Sequence, residues 1–158
     1  MNRCIVFDLD GTLIDSIADI ALATNRMREH YGLVPLPDKT VVGYVGHGIA
    51  QLAALAVADA PHIAPEEATE EVLLAYRNDP VVHTTLYPGA ADGLRILKTA
   101  GFRLATASNK PDVLCVPILK KLGVLDLFDA VIGGGRSIAM KPAPDMHAAG
   151  CSATPNRI

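Results

Sequence analysis

The sequence lacks the features of membrane, nucleic-acid-binding and disulfide-stabilised proteins. Its longest uninterrupted apolar run, Leu52–Ala58, is far shorter than the ~20 residues that a membrane-spanning helix needs. Fourteen Lys and Arg against seventeen Asp and Glu give a net charge of −3, so no basic field favours nucleic acid. The three cysteines are odd in number and far apart in the sequence, which predicts reduced, buried thiols rather than a disulfide framework or a metal site.

The chain also lacks room for a charged segment before its first apolar run, because that run begins at Cys4. We therefore expect no signal peptide and a cytoplasmic protein. What the chain does contain is a core-rich composition, since half of its 158 residues are hydrophobic and 20% are charged. This composition excludes a disordered chain, and the length is that of about one domain.

Three apolar runs predict buried strands, and they alternate with helical patterns. The runs are Cys4–Phe7, Phe102–Ala107 and Ala130–Gly133. Strands that alternate with helices indicate an α/β fold with a doubly wound, parallel sheet. Because the segment between the first two strands shows helical periodicity and no convincing strand, it predicts an inserted helical domain. The predicted domains are residues 16–86 for this insert and residues 1–15 with 87–158 for the sheet-containing core.

Chemically reactive side chains are concentrated just beyond the predicted strands. Asp8 and Asp10 come after the first strand, Ser108 and Asn109 after the second, and Lys141 shortly after the third. Ligands of open α/β sheets bind in the crevice beyond the carboxyl ends of the strands. The convergence of three chemically distinct groups on this edge therefore predicts one functional site.

Each group has a catalytic and a purely structural interpretation. Of Asp8 and Asp10, one carboxylate could attack an electrophile while the other transfers a proton, and two such charges would require a cation such as Mg²⁺. Alternatively, the two form a polar turn that caps a helix. Ser108 and Asn109 could bind an oxyanion through backbone N–H groups or could cap a helix. Lys141 could neutralise a carboxylate or a bound phosphate, or could simply be solvated.

Together these residues resemble the haloacid dehalogenase superfamily of phosphotransferases. The matching motifs are DLDGT at Asp8–Thr12, Ser108 within ATASNK, and KPAPD at Lys141–Asp145, and the helical insert lies where the family carries its cap. Within the superfamily the chain is similar to bacterial phosphoglycolate phosphatases. The motifs GYVGHG at Gly43–Gly48, YPG at Tyr87–Gly89 and SNKP from Ser108 support this branch.

The resemblance implies a role for each residue of the motifs. Asp8 would be the nucleophile that forms an aspartyl-phosphate, and Asp10 the general acid and base. Mg²⁺ would be held by the Asp8 carboxylate and the Asp10 main-chain carbonyl. Ser108 and the neighbouring Asn109 would bind the phosphate ester, while Lys141 balances charge. In the insert, His47 and Gly48 are candidates for substrate selectivity, although the position of His47 favours an ordinary residue at a helix N-terminus.

One part of the family pattern is absent, namely the fourth motif with its acidic metal ligand. After Asp145 the sequence reads MHAAGCSATPNRI and contains no Asp or Glu. A three-stranded order would also leave Cys4–Phe7 as a bare sheet edge. We therefore expect a fragment of a longer enzyme, or else a catalytically dead relative, with weak Mg²⁺ binding. Other sugar-phosphate phosphatases, a phosphoglucomutase and a non-catalytic binding module remain open as alternatives.

Overall fold

The computed structural model describes residues 3–135 and 138–153. The elements in these segments are β1 (Cys4–Phe7), β2 (Ile14–Asp15), α1 (Ile17–His30), α2 (Asp38–Val42), α3 (Ile49–Ala56), α4 (Pro65–Asn78), β3 (Thr85–Leu86), α5 (Ala90–Thr99), β4 (Arg103–Pro111), α6 (Asp112–Lys121), a 3₁₀ turn (Leu125–Leu127), β5 (Ala130–Gly134) and α7 (Asp145–Ser152). The chain divides into two compact units. One comprises the segments up to Asp15 and from Thr85 onward, and the other is Ser16–Thr84. None of the described helices is long and apolar enough to cross a membrane.

The first unit contains a parallel sheet with the strand order β1-β4-β5. This confirms the predicted α/β fold and the expected position of β1 at the edge. Every residue of β1 is half-buried, whereas residues 104–110 of β4 are buried. Among the described residues β1 has a sheet neighbour on one side only, and for this reason the prediction that it is a fully buried strand was wrong.

Helix α7 packs on one face of this sheet. The face and the helix share a core of small and aliphatic residues: Ala105, Ala107, Ala130, Ile132, Met146 and Ala153, with Cys4 and Val6 against it. The helix approaches closely at Gly150, where a Cβ atom would lie 3.1 Å from the Ala105 Cβ. A larger residue at this position would push α7 away from the sheet.

Two features of this unit differ from the sequence-based expectations. Strands β2 and β3 form a short antiparallel pair, with Ile14 opposite Leu86 and Asp15 opposite Thr85. Runs of two residues are too short to show a period of two, which is why the sequence did not reveal them. The thiols also differ: Cys115 is buried as predicted, but Cys4 is half-buried and Cys151 is exposed, so the prediction of three buried thiols was wrong.

In the helical unit, Arg28 joins α1 to two loops. Its guanidinium is buried and donates to the Val34 carbonyl (2.7 Å) and the Ala56 carbonyl. It also forms a bidentate ion pair with the Asp59 carboxylate, with N···O distances of 2.9 and 2.8 Å. Arg28 therefore makes all of these hydrogen bonds within the helical unit. They offset the free-energy cost of burying its charge.

Asp19 anchors the opposite end of α1 to the segment that precedes β3. Its carboxylate is 1% exposed and accepts hydrogen bonds from the backbone N–H groups of Val82, His83 and Thr84 and from the Thr84 hydroxyl, at 2.6–3.1 Å. Burial opposes ionisation, but the hydrogen bonds from Thr84, His83 and Val82 outweigh it and hold the pKa of Asp19 below its usual value. The charged form is thus the one that the fold stabilises.

We expect Asp19→Asn to lower the free energy of unfolding at pH 7 by about 1–3 kcal/mol, because the amide offers an N–H where the fold supplies only donors. A group with a depressed pKa contributes its stability above the unfolded-state value, about 3.9, and loses it as the pH falls through the folded-state value. The difference in free energy of unfolding between wild type and variant should therefore become smaller below pH 4. Urea unfolding at pH 7 and pH 3 measures both. Asp92→Asn, which removes an exposed ion pair with Arg95, is the control and should change stability by less than about 0.5 kcal/mol.

Candidate active site

The turn after β1 brings two carboxylates to the carboxyl edge of the sheet. Leu9, between Asp8 and Asp10, is fully buried, and its carbonyl accepts the N–H groups of residues 12, 13 and 14 at 2.9–3.1 Å. The Leu9 N–H in turn donates to the Asp8 carboxylate at 2.8 Å. Gly11 permits the tight turn because its φ is +74°, in the region where residues with a side chain are strained. Both carboxylates are therefore held by a locally fixed backbone.

Strand β4 extends beyond its predicted end through an irregularity. Ala107 pairs with Ile132 and Pro111 pairs with Gly134, so four residue steps along β4 correspond to two along β5. The extra residues bulge out of the ladder, as commonly happens where a strand must redirect side chains at an active site. The bulge contains Ser108 and Asn109, which the sequence placed at the end of a strand. Both side chains are buried at the sheet edge.

The bulge fixes the loop that carries Lys141. The Asn109 carboxamide accepts the Lys141 N–H at 2.9 Å and donates to the Lys141 carbonyl at 3.2 Å. The Lys141 ammonium then lies 2.5 Å from the Asp8 carboxylate. The structure thus brings Asp8, Asn109 and Lys141 together, as the sequence predicted, and shows that Asn109 holds the main chain of Lys141.

Two glycines allow β5 to reach this position. A Cβ at Gly133 would lie 2.4 Å from the Asp112 Cα, and a Cβ at Gly134 would lie 2.7 Å from the Asn109 carbonyl oxygen. Both contacts are with backbone atoms, so a side chain could be accommodated only by moving the end of β5 away from β4. The glycine-rich end of β5 is therefore what lets the following loop meet Asn109.

Lys110 is a site residue that sequence reasoning missed. Its ammonium lies 3.0 Å from the Asp10 carboxylate, and its side chain is only 3% exposed, against 15% for Asp10. A buried lysine is rare without a charged partner, so the pair is a specific feature of the site. The available signal was position: Lys110 follows Ser108 by two residues, the spacing that places strand side chains on the same face.

Other predicted site residues are placed as follows. The Ser108 hydroxyl accepts the N–H of Lys110 at 3.3 Å, at the centre of the bulge. His47 and Gly48 belong to the helical unit, where His47 is exposed and Gly48, with φ +89°, immediately precedes α3. Their proposed part in selectivity stays a prediction.

The donor chemistry of the site suits a hard cation. Asp8 and Asp10 supply oxygen ligands, and Mg²⁺ in proteins is often held by one or two carboxylates together with substrate phosphate and water. However, within residues 3–135 and 138–153 no three His, Cys, Asp or Glu side chains are grouped so that they could hold a metal ion. The residues thus fit Mg²⁺ as a partial donor set that a bound phosphate would complete.

A separate cavity of about 330 Å³ lies between β1, the β2–β3 region and α5. Its lining includes Phe7, Leu13, Leu94 and Leu97 and contains none of the predicted site residues. An apolar cavity offers no partner for the charge of a phosphate group. The cluster at the carboxyl edge of the sheet, and not this cavity, is therefore the candidate active site.

Known proteins resemble this chain along most of its length. Residues 2–154 match the family model described as haloacid dehalogenase-like hydrolase. The phosphoglycolate phosphatase of Chromobacterium violaceum is 40% identical over 152 residues, which cover 92% of this chain and 68% of that protein. The phosphoglycolate phosphatase of Neisseria meningitidis is 39% identical over 147 residues, which cover 90% of this chain and 63% of that protein.

Among solved structures, a predicted phosphoglycolate phosphatase from Haemophilus somnus superposes with a TM-score of 0.87 at 29% identity. The match covers 95% of this chain and 70% of the other. The chain spans about two thirds of the length of the curated relatives that it matches.

The Lys110–Asp10 pair should show strong energetic coupling in a double-mutant cycle. Removing one partner of a buried ion pair leaves an uncompensated charge and typically costs about 3–5 kcal/mol. Asp10→Asn should lower the free energy of unfolding more than Lys110→Met does, because it removes the partner of the more deeply buried charge, that of Lys110. The double variant should lower the free energy of unfolding by much less than the sum of the two single changes. Urea unfolding gives the four free energies.

The exposed pair Arg26–Asp79 is a matched control, with an N···O distance of 3.2 Å. We expect its coupling to be at most about 1 kcal/mol. Additive costs for Lys110→Met and Asp10→Asn would contradict the interpretation of a buried, mutually dependent pair.

Proposed function

Because the chain belongs to the haloacid dehalogenase-like hydrolase family, we propose that its site carries out Mg²⁺-dependent hydrolysis of a small phosphate monoester through an aspartyl-phosphate. The observation that carries this proposal is the pairing of each carboxylate with its own lysine, Asp8 with Lys141 and Asp10 with Lys110. Phosphoryl transfer depends on placing charges correctly around the phosphate, and this arrangement supplies a nucleophile, a proton donor and two cations at one edge of the sheet.

The first step is attack of an Asp8 carboxylate oxygen on phosphorus, which breaks the bond between phosphorus and the ester oxygen. Asp10, which takes up a proton from solvent before this step, gives that proton to the departing alkoxide and becomes a carboxylate again. In the second step Asp10 removes a proton from a water molecule, which attacks phosphorus and releases inorganic phosphate, so that Asp8 is regenerated. Lys141, whose ammonium lies 2.5 Å from the Asp8 carboxylate, balances the negative charge of the incoming phosphate.

The bulge residues position these groups. The Ser108 hydroxyl and the neighbouring backbone N–H groups bind phosphoryl oxygens, as donors at the end of a strand are suited to do. Asn109 contributes to substrate binding by holding the Lys141 main chain in place. Lys110 holds the Asp10 carboxylate in one orientation for proton transfer. The roles of Asn109 and Lys110 are supported by these contacts, and that of Ser108 by its buried position at the sheet edge.

Mg²⁺ would be held by the Asp8 carboxylate and the Asp10 main-chain carbonyl, and when bound it neutralises charge that develops on the phosphoryl oxygens. Because the described residues contain no group of three metal-ligating side chains, we expect weak Mg²⁺ binding by this chain. Loss of one stabilising contact to transition-state charge costs about 10²–10³ in rate, so turnover should be impaired at least to that extent.

The substrate that the relatives favour is 2-phosphoglycolate, since the curated relatives at 34–40% identity are named phosphoglycolate phosphatase. The helical insert, residues 16–86, is assigned the part of a cap that excludes water, with His47 and Gly48 as selectivity residues. We expect the protein to be cytoplasmic, because its proposed substrate is a small phosphorylated metabolite. The alternatives are another sugar-phosphate phosphatase, a phosphoglucomutase, or an inactive module that binds without turnover.

Beryllium fluoride, which mimics the phosphoryl group on a carboxylate, tests the site without requiring turnover. Fluorine NMR should detect an adduct that appears only with Mg²⁺ and disappears on removing the metal. Asp8→Asn should abolish the adduct because it removes the attacking carboxylate, whereas the exposed-surface control Asp92→Asn should retain it. A folded chain that forms no adduct at any Mg²⁺ concentration would favour the inactive module.

Rates with 2-phosphoglycolate and with a sugar phosphate then address substrate and impairment. We expect slow hydrolysis of 2-phosphoglycolate, at least 10²-fold below an ordinary phosphatase rate of about 10 s⁻¹, and slower hydrolysis of the sugar phosphate. Full-rate turnover that Asp8→Asn abolishes would refute the impairment but leave the reaction class intact.

A further inference from the structure

Two of the three cysteines meet in the folded chain although they lie 147 positions apart. Cys4 is in β1 and Cys151 is near the end of α7. The Cys4 thiol points at this end of the helix, where it donates to the Gly150 carbonyl with an S···O distance of 3.9 Å. Because Gly150 immediately precedes Cys151, the Cys4 thiol lies beside the turn of α7 that carries Cys151. No local sequence pattern indicates this proximity, because it arises only when α7 packs across the sheet.

The surrounding contacts hold the end of α7, which carries Cys151, close to β1. Gly150 lets α7 approach closely, since a Cβ there would lie only 3.1 Å from the Ala105 Cβ and in van der Waals contact, at 3.6 Å, with a Val6 methyl group. The Arg103 guanidinium, from the start of β4, donates to the Cys151 carbonyl at 3.3 Å and to the Ala153 carbonyl. The end of α7 is thus fixed to the strands beneath it, and Cys151 cannot move away from Cys4 without losing these contacts.

We propose that Cys4 and Cys151 are an oxidation site that closes to a reversible intrachain disulfide between β1 and α7. The two thiols differ in accessibility, with Cys151 exposed and Cys4 half-buried, while Cys115, in α6, is fully buried. Intracellular disulfides of this kind, between an exposed and a partly buried thiol, are typically reversible and redox-sensitive.

The chemistry is thiol–disulfide exchange with a low-molecular-weight disulfide such as glutathione disulfide. The Cys151 thiolate attacks one glutathione sulfur, forms a mixed disulfide and displaces one glutathione thiolate. Cys4 then loses its proton to solvent and attacks the Cys151 sulfur, which expels the second glutathione. The two protein thiols are oxidised by two electrons, and one glutathione disulfide is reduced to two glutathiones.

The ionisation of the thiols supports this order of attack. Burial, together with the hydrogen bond and charge of Cys151, raises the pKa of Cys4 to about 11, despite the opposing effect of Arg103. Cys4 is therefore poorly suited to attack an external disulfide but can act on a sulfur held beside it. Burial raises the pKa of Cys115 to about 12, which keeps that thiol unreactive.

The test is to equilibrate the 158-residue chain with glutathione disulfide and to count free thiols after alkylation in denaturant. We expect the count to fall from three to one, independently of protein concentration, and to return to three with dithiothreitol. Peptide mapping should join the peptides of Cys4 and Cys151 and find Cys115 alkylated. The urea midpoint of the oxidised chain should exceed that of the reduced chain, because the cross-link closes a long loop.

Two variants control for position and exposure. Cys151→Ser, at an exposed site, should leave Cys4 and Cys115 as free thiols. The double variant Cys151→Ser with Ser152→Cys moves the exposed thiol by about 100° around α7 and should stop as a mixed disulfide with glutathione. The proposal is overturned if the wild-type chain also stops at that mixed disulfide, if it forms disulfide-linked dimers, or if all three thiols stay free.

Discussion

Two hydrogen bonds between the Asn109 carboxamide and the main chain of Lys141 join the end of β4 to the loop after β5. The position of the Lys141 ammonium beside Asp8 depends on this contact, because the loop has to reach from the end of β5 to the end of β1. The bulge in β4 turns Asn109 toward the loop, and the glycines at the end of β5 remove the side chains that would keep the two apart. Asn109 therefore determines both the path of the loop backbone and the position of the Lys141 charge.

The site balances its charges before any ligand is present. Two carboxylates on neighbouring turns would repel each other, and each is matched by a lysine from a different segment of the chain. The two pairs differ in character, since Lys110 is almost completely buried and Lys141 is partly open to solvent. The buried pair is suited to fixing an orientation, and the open pair is suited to exchanging its partner when a dianionic phosphate arrives.

The sequence predicted the parts of this arrangement that follow local rules. An apolar run followed by Asp8 and Asp10, and polar residues after each later strand, predicted the parallel sheet and the edge on which its reactive groups meet. Lys110 was missed because its spacing from Ser108 indicates at most a shared strand face, whereas its burial is decided by Asp10, a hundred positions away. The same reason hid the meeting of Cys4 with Cys151, and the pairing of β2 with β3 escaped because two residues show no periodicity.

The edge position of β1 has a further consequence for how firmly Asp8, the proposed nucleophile, is held. Asp8 follows directly on β1, and among the described residues the backbone of this strand is tied to the sheet by a single ladder of hydrogen bonds, to β4. Catalytic groups need to keep their geometry to within about half an ångström. The proposed nucleophile thus follows an edge strand, and any contact that stiffens β1 from its face, as α7 does, also stabilises the position of Asp8.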